Sequence, residues 1–158
     1  MLEPSLIKLS ELLRYMLYDS NNDKITVSSE IEHLENYLDL QQLRFGDHVR
    51  VESDIQTDCP DCMIEPMLLV PFIENAFKHG VGTQKDPYIL IKLRAKNAKL
   101  EFTVINNYSL DNMSKDKSSG IGLVNVKNRL RLLYPDKYEL VIDDRPETFS
   151  VNLNIDLS

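Results

Sequence analysis

One short segment of the chain, residues 71–80 (PFIENAFKHG), combines an apolar side with four polar residues of different chemistry. On a helix the four polar positions fall at i, i+1, i+4 and i+5 and therefore share one face. An amide oxygen is a ligand that Mg²⁺ accepts, an ammonium group attracts phosphate, and an imidazole extends the same polar edge. The spacing predicts a metal and phosphate site formed by Asn75, Lys78 and His79, with the carboxylate of Glu74 on the same face. The alternative is a solvated Glu74–Lys78 ion pair, worth a few tenths of a kcal/mol.

A second segment, residues 118–125 (SSGIGLVN), places two glycines at the start of a predicted helix. The free N–H groups and positive dipole end of a helix N-terminus suit phosphate, and Gly120 and Gly122 are the candidates to border it. The alternative is an ordinary small-residue turn ahead of a helix. Residues 107–119 before it are polar, lack periodicity and exceed the length of a hairpin loop. Together the two motifs predict a nucleotide site with residues 107–119 as its lid.

The bulk composition limits the classes of protein to consider. The chain has 158 residues, of which 42% are hydrophobic and 27% charged, and this predicts one main domain with a sizeable core. The net charge of -7 argues against binding to duplex nucleic acid. No apolar run approaches the ~20 residues of a membrane helix, and no signal peptide is recognisable, so this region is expected to be cytoplasmic without membrane contact.

The two cysteines form a C-x-x-C, Cys59 and Cys62. Zinc takes four ligands, and none of the histidines has a paired metal-ligand spacing. The three histidines are His33, His48 and His79. We therefore expect reduced cysteines without a metal or redox role.

Hydrophobic periodicity and turn residues predict the order helix, helix, strand, helix, strand, strand, loop, helix, strand, strand. This order predicts an α/β (α+β) two-layer sandwich, in which a mixed, mostly antiparallel sheet has helices on one face. The first helix carries a heptad-like stripe typical of a bundle, although a helix that packs only on its own domain fits equally well. That stripe is Leu2, Leu6, Leu9, Leu13 and Met16.

Caps and inward positions can be predicted for three further helices. The second helix has Ser28 or Ser29 as its N-cap, and it ends at Gly46. Pro66 opens the next helix, with Gly80 as its C-terminal cap. The last helix stops at Pro135 and is predicted to bury Leu123, Val126, Leu130 and Leu133.

The two chemical segments resemble known sequence motifs. PFIENAFKHG is similar to the N box, and SSGIGLVNVKNRL to the G2 box, of the GHKL ATPases. Within that group, EIEHLENYLDLQQLRFGD and GIGLVNVKNRLRLLYP resemble the LytS-like sensor histidine kinases of bacterial two-component systems, and the matching segments follow in order along nearly the whole chain. The resemblance implies the Bergerat (GHKL ATPase) fold and the cofactors ATP and Mg²⁺. It also implies that Asn75 holds Mg²⁺ and that Lys78 and His79 lie near the phosphates.

The same resemblance implies a division of the chain and its partners. Residues 1–21 correspond to the second helix of a dimerisation and phosphoacceptor domain, and residues 24–158 to the catalytic ATP-binding domain. The acceptor histidine belongs to an upstream helix whose motif this chain lacks, so the chain is expected to be a fragment that is inactive in autophosphorylation alone. The parent is expected to be a homodimeric kinase anchored in the inner membrane that acts on a response regulator.

Three positions depart from the family pattern. At the adenine-reading G1 box, VINNYS places Asn106 where the family has aspartate and Tyr108 where it has glycine. An amide still accepts a hydrogen bond from adenine, although without charge assistance, and the alternative is an asparagine that caps a strand end. Pro71 occupies the place where hydrolysing relatives carry an acid, and Glu74, displaced from the family's position along the helix, is the candidate catalytic base. A nucleotide-dependent or degenerate interaction module of the same fold is therefore the alternative to a kinase catalytic domain.

Overall fold

The computed structural model describes residues 6–10, 24–81, 85–107 and 120–158. Besides the helical residues 6–10, the described α-helices are α1 (Val27–Phe45), α2 (Val70–Gly80) and α3 (Gly120–Leu133), and a 3₁₀ turn (Gly46–His48) follows α1. The strands are β1 (Ile25–Thr26), β2 (Arg50–Thr57), β3 (Met63–Ile64), β4 (Tyr88–Lys96), β5 (Lys99–Asn107), β6 (Tyr138–Arg145) and β7 (Thr148–Asp156).

Five strands form the main sheet in the order β2-β4-β5-β7-β6. The β2–β4 pair is parallel, with α2 in the connection between the two strands, and the other three pairs are antiparallel. Along the strands, buried residues of one sheet face alternate with exposed or half-buried residues of the other face. The buried residues form the core together with the helices. These core residues include Ile89, Ile91, Leu93, Leu100, Phe102, Val104, Val151 and Leu153. The predicted mixed, mostly antiparallel sheet with one covered face is confirmed.

Helix α1 begins two or three residues earlier than the sequence suggested. Its N-cap is Thr26, whose Oγ1 accepts a hydrogen bond from Ser29 N at 3.1 Å, so the prediction of Ser28 or Ser29 is wrong. The chain from Cys59 to Cys62 supplies the other acceptors, because the N–H groups of Val27 and Ser28 donate to the carbonyls of Cys62 and Pro60. Both cysteines are free thiols in this capping turn. Gly46, with a φ of 57°, ends the helix as predicted.

Helix α2 begins at Val70, so the prediction that Pro66 opens it is wrong. The residues between form a turn in which Met67 has a left-handed φ of 61°, and the proline of the first helical turn is Pro71. At the other end Gly80 is still helical, and Val81 is the cap with a φ of -106°. Gly80 is therefore not a left-handed cap.

Helix α3 buries Val126 and Leu130 and half-buries Leu123. Leu133 is 45% exposed, so its predicted inward position is wrong. The next residue, Tyr134, fills the core position instead, since the chain leaves the helix there and its hydroxyl accepts a hydrogen bond from Glu65 N at 2.9 Å.

Of the predicted N-terminal bundle helix, residues 6–10 are described and are helical. Leu6 and Leu9 are exposed, while Lys8 forms an ion pair with Asp39 of α1. Leu2, Leu13 and Met16 lie outside the described residues, as does the boundary predicted near residues 21–24 except for Lys24. No helix within the described ranges has both the length and the apolar character that crossing a membrane requires.

Candidate functional site

Asn75 lies on the inner side of α2 rather than on a solvated face. The residue is only 6% exposed, between Phe72 and Ile73 on one side and Ala76 and Phe77 on the other along the chain, all of them core residues. Its side-chain Nδ2 is buried and has no hydrogen-bond partner among the described residues. A buried amide donor without a partner costs about 1–3 kcal/mol, which makes Asn75 a candidate ligand-binding residue.

Glu74 and Lys78 are on the outer side of the same helix. Lys78 Nζ lies 3.7 Å from Glu74 Oε1, and each side chain is more than half exposed. The ion pair considered from the sequence is therefore present. A surface pair of this kind contributes well under 1 kcal/mol, which leaves both side chains free to turn toward a ligand.

The two sequence motifs meet at a small cavity between α2 and α3. Its volume is about 40 Å³, and about 10–15 Å³ of such space is enough to hold one water molecule. The lining residues are Pro71, Glu74, Asn75, Lys78, Gly122 and Leu123. A Cβ atom at Gly122 would meet nothing within 4 Å among the described residues. Gly120 is the first residue of α3, and residues 108–119 of the predicted lid, with Tyr108, lie outside the described residues.

A second group of residues lies at the C-terminal end of α2. Asn106 of β5 is 1% exposed, its Nδ2 donates to the carbonyl of Asn107 at 3.1 Å, and its buried Oδ1 has no hydrogen-bond partner among the described residues. Gly80 lies so close that a Cβ placed on it would be 3.0 Å from Asn106 Cβ. The absence of a side chain at Gly80 therefore permits the approach of α2 to β5.

Asn107 caps the strand end, which is the role that the sequence had left open for its neighbour Asn106. Asn107 Oδ1 accepts from Tyr88 N at 2.9 Å, and Asn107 Nδ2 donates to the carbonyl of Asp86 at 3.0 Å. Asn107 thus closes the end of the β4–β5 pair. Asn106 is left with an inward acceptor that this strand end does not use.

His79 belongs to the second group rather than to the cavity. Its ring lies near Phe149 of β7, with ring centroids 6.5 Å apart, and Phe149 is the cross-strand neighbour of Asn106. Five residues of helix separate Asn75 from Gly80, which corresponds to about 7.5 Å along the axis. Helix α2 therefore joins two ends of one site, with Asn75 at one end and Asn106 at the other.

Sequence reasoning did not single out Phe149 or Arg129 as site-forming residues. Phe149 reaches the site through the register of β5 and β7, and Arg129 contacts the turn before α2 from the far half of α3. Neither position stands out by residue spacing. Within the described ranges, no group of three or more His, Cys, Asp or Glu side chains is placed to hold a metal ion.

Solved structures place this fold among the catalytic domains of histidine kinases. The catalytic domain of the histidine kinase ThkA aligns with a TM-score of 0.54 and 13% identity over 85% of this chain and 94% of that one. Full-length ShkA in complex with AMPPNP aligns with a TM-score of 0.59 and 10% identity over 98% of this chain and 36% of that one. ThkA in complex with the response regulator protein TrrA aligns with a TM-score of 0.55.

Sequence comparison defines the family. A family model described as histidine kinase matches residues 2–49. The sensor protein LytS of Staphylococcus haemolyticus is 33% identical over 147 residues, which cover 85% of this chain and 25% of that protein. The chain thus spans about a quarter of the length of this relative. It belongs to the LytS-like sensor histidine kinase family.

Proposed function

We propose that this chain is the ATP-binding catalytic region of a LytS-like sensor histidine kinase and that it binds Mg-ATP between α2 and α3. The observation that carries the proposal is Asn75, a buried amide whose Nδ2 donor has no acceptor among the described residues and which lines a cavity with Lys78 and Gly122. ShkA, a protein of the same fold, is known in complex with the nucleotide AMPPNP.

The residues around the cavity fit Mg²⁺ and phosphate. Asn75 supplies an oxygen of the kind that Mg²⁺ takes, and its Nδ2 can donate to a phosphate oxygen. Lys78 adds a positive charge, and the N-terminal turn of α3 with Gly120 and Gly122 adds backbone donors. The cavity of about 40 Å³ is smaller than a whole nucleotide, and in this proposal the nucleoside extends from it along α2.

The second end of the site fits adenine. Asn106 Oδ1 is an unused acceptor within the described residues and can receive the exocyclic amino group. His79 presents a ring beside Phe149 at this end, so the structure favours a contact of His79 with the nucleoside over the phosphate contact expected from the sequence. The neutral amide at Asn106 gives a weaker hydrogen bond than the family's aspartate.

In phosphoryl transfer, this region would position the reactants and neutralise charge rather than take part in covalent chemistry. Bound Mg²⁺ would supply charge neutralisation at the phosphates. Lys78 would hold the phosphate chain, and Glu74, which lines the same cavity, is the candidate proton acceptor. The γ-phosphate would pass to a histidine on the dimerisation domain.

In the parent protein, residues 1–21 would belong to that dimerisation domain and residues 24–158 to the catalytic domain. The parent would be a homodimer anchored in the inner membrane, with this region on the cytoplasmic side, and would act on a response regulator. The complex of ThkA with TrrA supports this partner class.

Titration of Mg-ATP into the chain and into Asn75→Ala tests the proposal. The parent chain should bind, and the variant should lose at least tenfold in affinity, about 1.4 kcal/mol, because a metal ligand is removed. Affinity for ATP in the presence of a chelator should change much less. Asn128→Ala, an exposed position on α3, serves as the matched control. Equal Mg-ATP affinity in Asn75→Ala and the parent would contradict the proposed site.

A further inference from the structure

The turn that precedes α2, residues 65–69, is held by side chains from α1, from α3 and from the residue that follows α3. Its residues Leu68 and Leu69 are fully buried, so its backbone polar groups have little access to water. Such groups must be paired within the protein. The partners are Glu30 of α1, Arg129 of α3 and Tyr134 just beyond α3.

Arg129 binds two successive carbonyls of this turn. Its Nη2 donates to the carbonyl of Pro66 at 2.7 Å, and its Nη1 donates to the carbonyl of Met67 at 3.1 Å. The guanidinium also lies 4.0 Å from the carboxylate of Glu65. A planar guanidinium can bridge two acceptors in fixed geometry, whereas the ammonium of a lysine is a point charge and cannot reproduce it.

Glu30 and Tyr134 accept hydrogen bonds from backbone N–H groups of the turn. Glu30 is 0% exposed, and its Oε2 accepts from Met67 N at 3.3 Å. The Tyr134 hydroxyl accepts from Glu65 N at 2.9 Å. Burial raises the pKa of Tyr134, so the hydroxyl stays neutral at physiological pH. Met67 is thus held at both its N–H and its carbonyl by charged side chains from different helices.

The conformation of Met67 indicates why the turn needs this support. Its φ of 61° is in the left-handed region, which costs a residue with a Cβ about 1–2 kcal/mol. Hydrogen bonds from Glu30 and Arg129 to this same residue stabilise that conformation. The turn then sets where α2 begins, at Val70, and hence where Asn75 lies.

The same helix that holds the turn also borders the cavity. Gly122 and Arg129 are seven residues apart on α3, about 10.5 Å along the axis. Gly122 faces Asn75 across the cavity, and Arg129 binds the turn that leads into α2. The Arg129 contacts therefore fix α2 relative to α3 and with it the width of the cavity.

We infer that Arg129 and Glu30 are positioning residues for the metal and phosphate end of the nucleotide site. They act through the 65–69 turn, which places Asn75 opposite Gly122, and they do not touch the nucleotide. The inference rests on the proposed function, since it assigns these residues to the binding of Mg²⁺ with the phosphates. Its specific consequence is that their loss weakens metal-dependent binding more than metal-free binding.

The experiment compares Arg129→Met with Arg131→Met in the full chain. Arg131 lies on the same helix but is exposed and donates only to Asn128 in the described structure, so it is the matched control. Binding of AMPPNP is measured with Mg²⁺ and with a chelator, and binding of Mn²⁺ in the presence of AMPPNP is followed by its paramagnetic resonance spectrum. We expect Arg129→Met to lose at least tenfold in Mg-AMPPNP affinity and less than threefold in metal-free affinity. Arg131→Met should match the parent in both.

Glu30 is tested by a loss variant and a rescue variant. Glu30→Leu removes the acceptor for Met67 N and should weaken Mg-AMPPNP binding selectively, whereas Glu30→Gln keeps an oxygen at this place and should restore it to within threefold of the parent. Melting temperatures are measured for all variants. If Arg129→Met does not fold, Arg129→Lys, which retains the charge but cannot bridge both carbonyls, should show the same selective loss.

The outcomes separate the inference from the function on which it rests. Failure of the parent chain to bind Mg-AMPPNP would overturn both. Binding by the parent together with unchanged Mg-AMPPNP affinity in folded Arg129→Met and Glu30→Leu would overturn the inference alone. Equal losses with and without metal, in proportion to a lowered melting temperature, would also overturn it, because they indicate a purely structural role.

Discussion

At the residue scale, the proposed nucleotide site has two buried side-chain amides, Asn75 of α2 and Asn106 of β5 near the C-terminal end of that helix. Asn75 leaves a donor, and Asn106 an acceptor, without a hydrogen-bond partner among the described residues. Each such atom costs free energy in the unliganded protein, and a ligand that pairs with it recovers that cost. The polarity of the two atoms fits a phosphate oxygen at one end and an amino group at the other.

Replacement of Asn106 by the residue that the family carries should change affinity and stability in opposite directions. Asn106→Asp should strengthen ATP binding by about 1 kcal/mol, because the hydrogen bond to adenine becomes charge-assisted. The unliganded protein should melt at a lower temperature, since a carboxylate at a 1% exposed position lacks solvent. Calorimetry and thermal denaturation with and without Mg-ATP measure the two effects.

Asn107→Asp is the matched control for this variant. It removes the donor to the Asp86 carbonyl and should lower stability without any gain in affinity. Weaker or unchanged ATP affinity in Asn106→Asp would favour a role for Asn106 confined to the strand end.

At the scale of elements, the edge of the sheet depends on the parallel β2–β4 pair. Its strands are joined through α2, so their alignment helps to place the helix that carries Asn75. A cross-strand contact supports the pair, since Arg94 Nη2 lies 2.6 Å from Asp54 Oδ2 and Arg94 Nη1 donates to the Asp54 carbonyl at 3.2 Å. The hydrogen bond from Arg94 lowers the pKa of the exposed Asp54 carboxyl below its ordinary value of 3.8.

The contribution of this pair to stability should therefore depend on acid pH. A lowered pKa in the folded protein means that the contribution is fully present above the unfolded pKa and is lost as the pH falls through the folded one. We expect Asp54→Asn to melt slightly below the parent at pH 7, and we expect the difference to shrink as the pH falls below ~3.8 and to vanish below the folded pKa of Asp54. Arg94→Gln should show the same dependence. A melting-temperature difference that stays constant from neutral to acid pH would contradict this assignment.

At the scale of the whole molecule, we expect none of the three histidines to act as a phosphate acceptor. His33 is a buried residue of α1, His48 lies in the 3₁₀ turn, and His79 belongs to the site itself. Incubated alone with labelled ATP, the chain should therefore bind nucleotide and acquire no acid-labile phosphate. Phosphohistidine analysis of the incubated chain tests this expectation.

A separate fragment that carries the upstream acceptor helix provides the control. If the two pieces reassemble the bundle, transfer to that fragment should appear, because acceptor and ATP are brought within reach. Exposed Leu6 and Leu9 are the described part of the surface that such a helix would cover. Acid-labile label on His33, His48 or His79 of the isolated chain would overturn this account of the histidines.

The sequence by itself determined the order of elements, the two-layer class and the two chemical motifs. Hydrophobic alternation identified β4 and β5, and the spacing of Glu74 and Lys78 predicted the exposed polar side of α2, because these features depend on neighbours close in the chain; Asn75 lies on the inner side instead. The resemblance to histidine kinases also followed from such local segments.

Only the tertiary structure decided where these elements begin and which of their residues are buried. Thr26 is the N-cap of α1 because carbonyls of the Cys59–Cys62 turn accept the next N–H groups of the helix. Helix α2 begins at Val70 because Glu30 and Arg129 hold Met67 in a left-handed turn. Tyr134 replaced Leu133 in the core through its bond to Glu65. These outcomes rest on contacts between residues far apart in the chain, whose pairing depends on the packing of whole elements and leaves no periodic signal in the sequence.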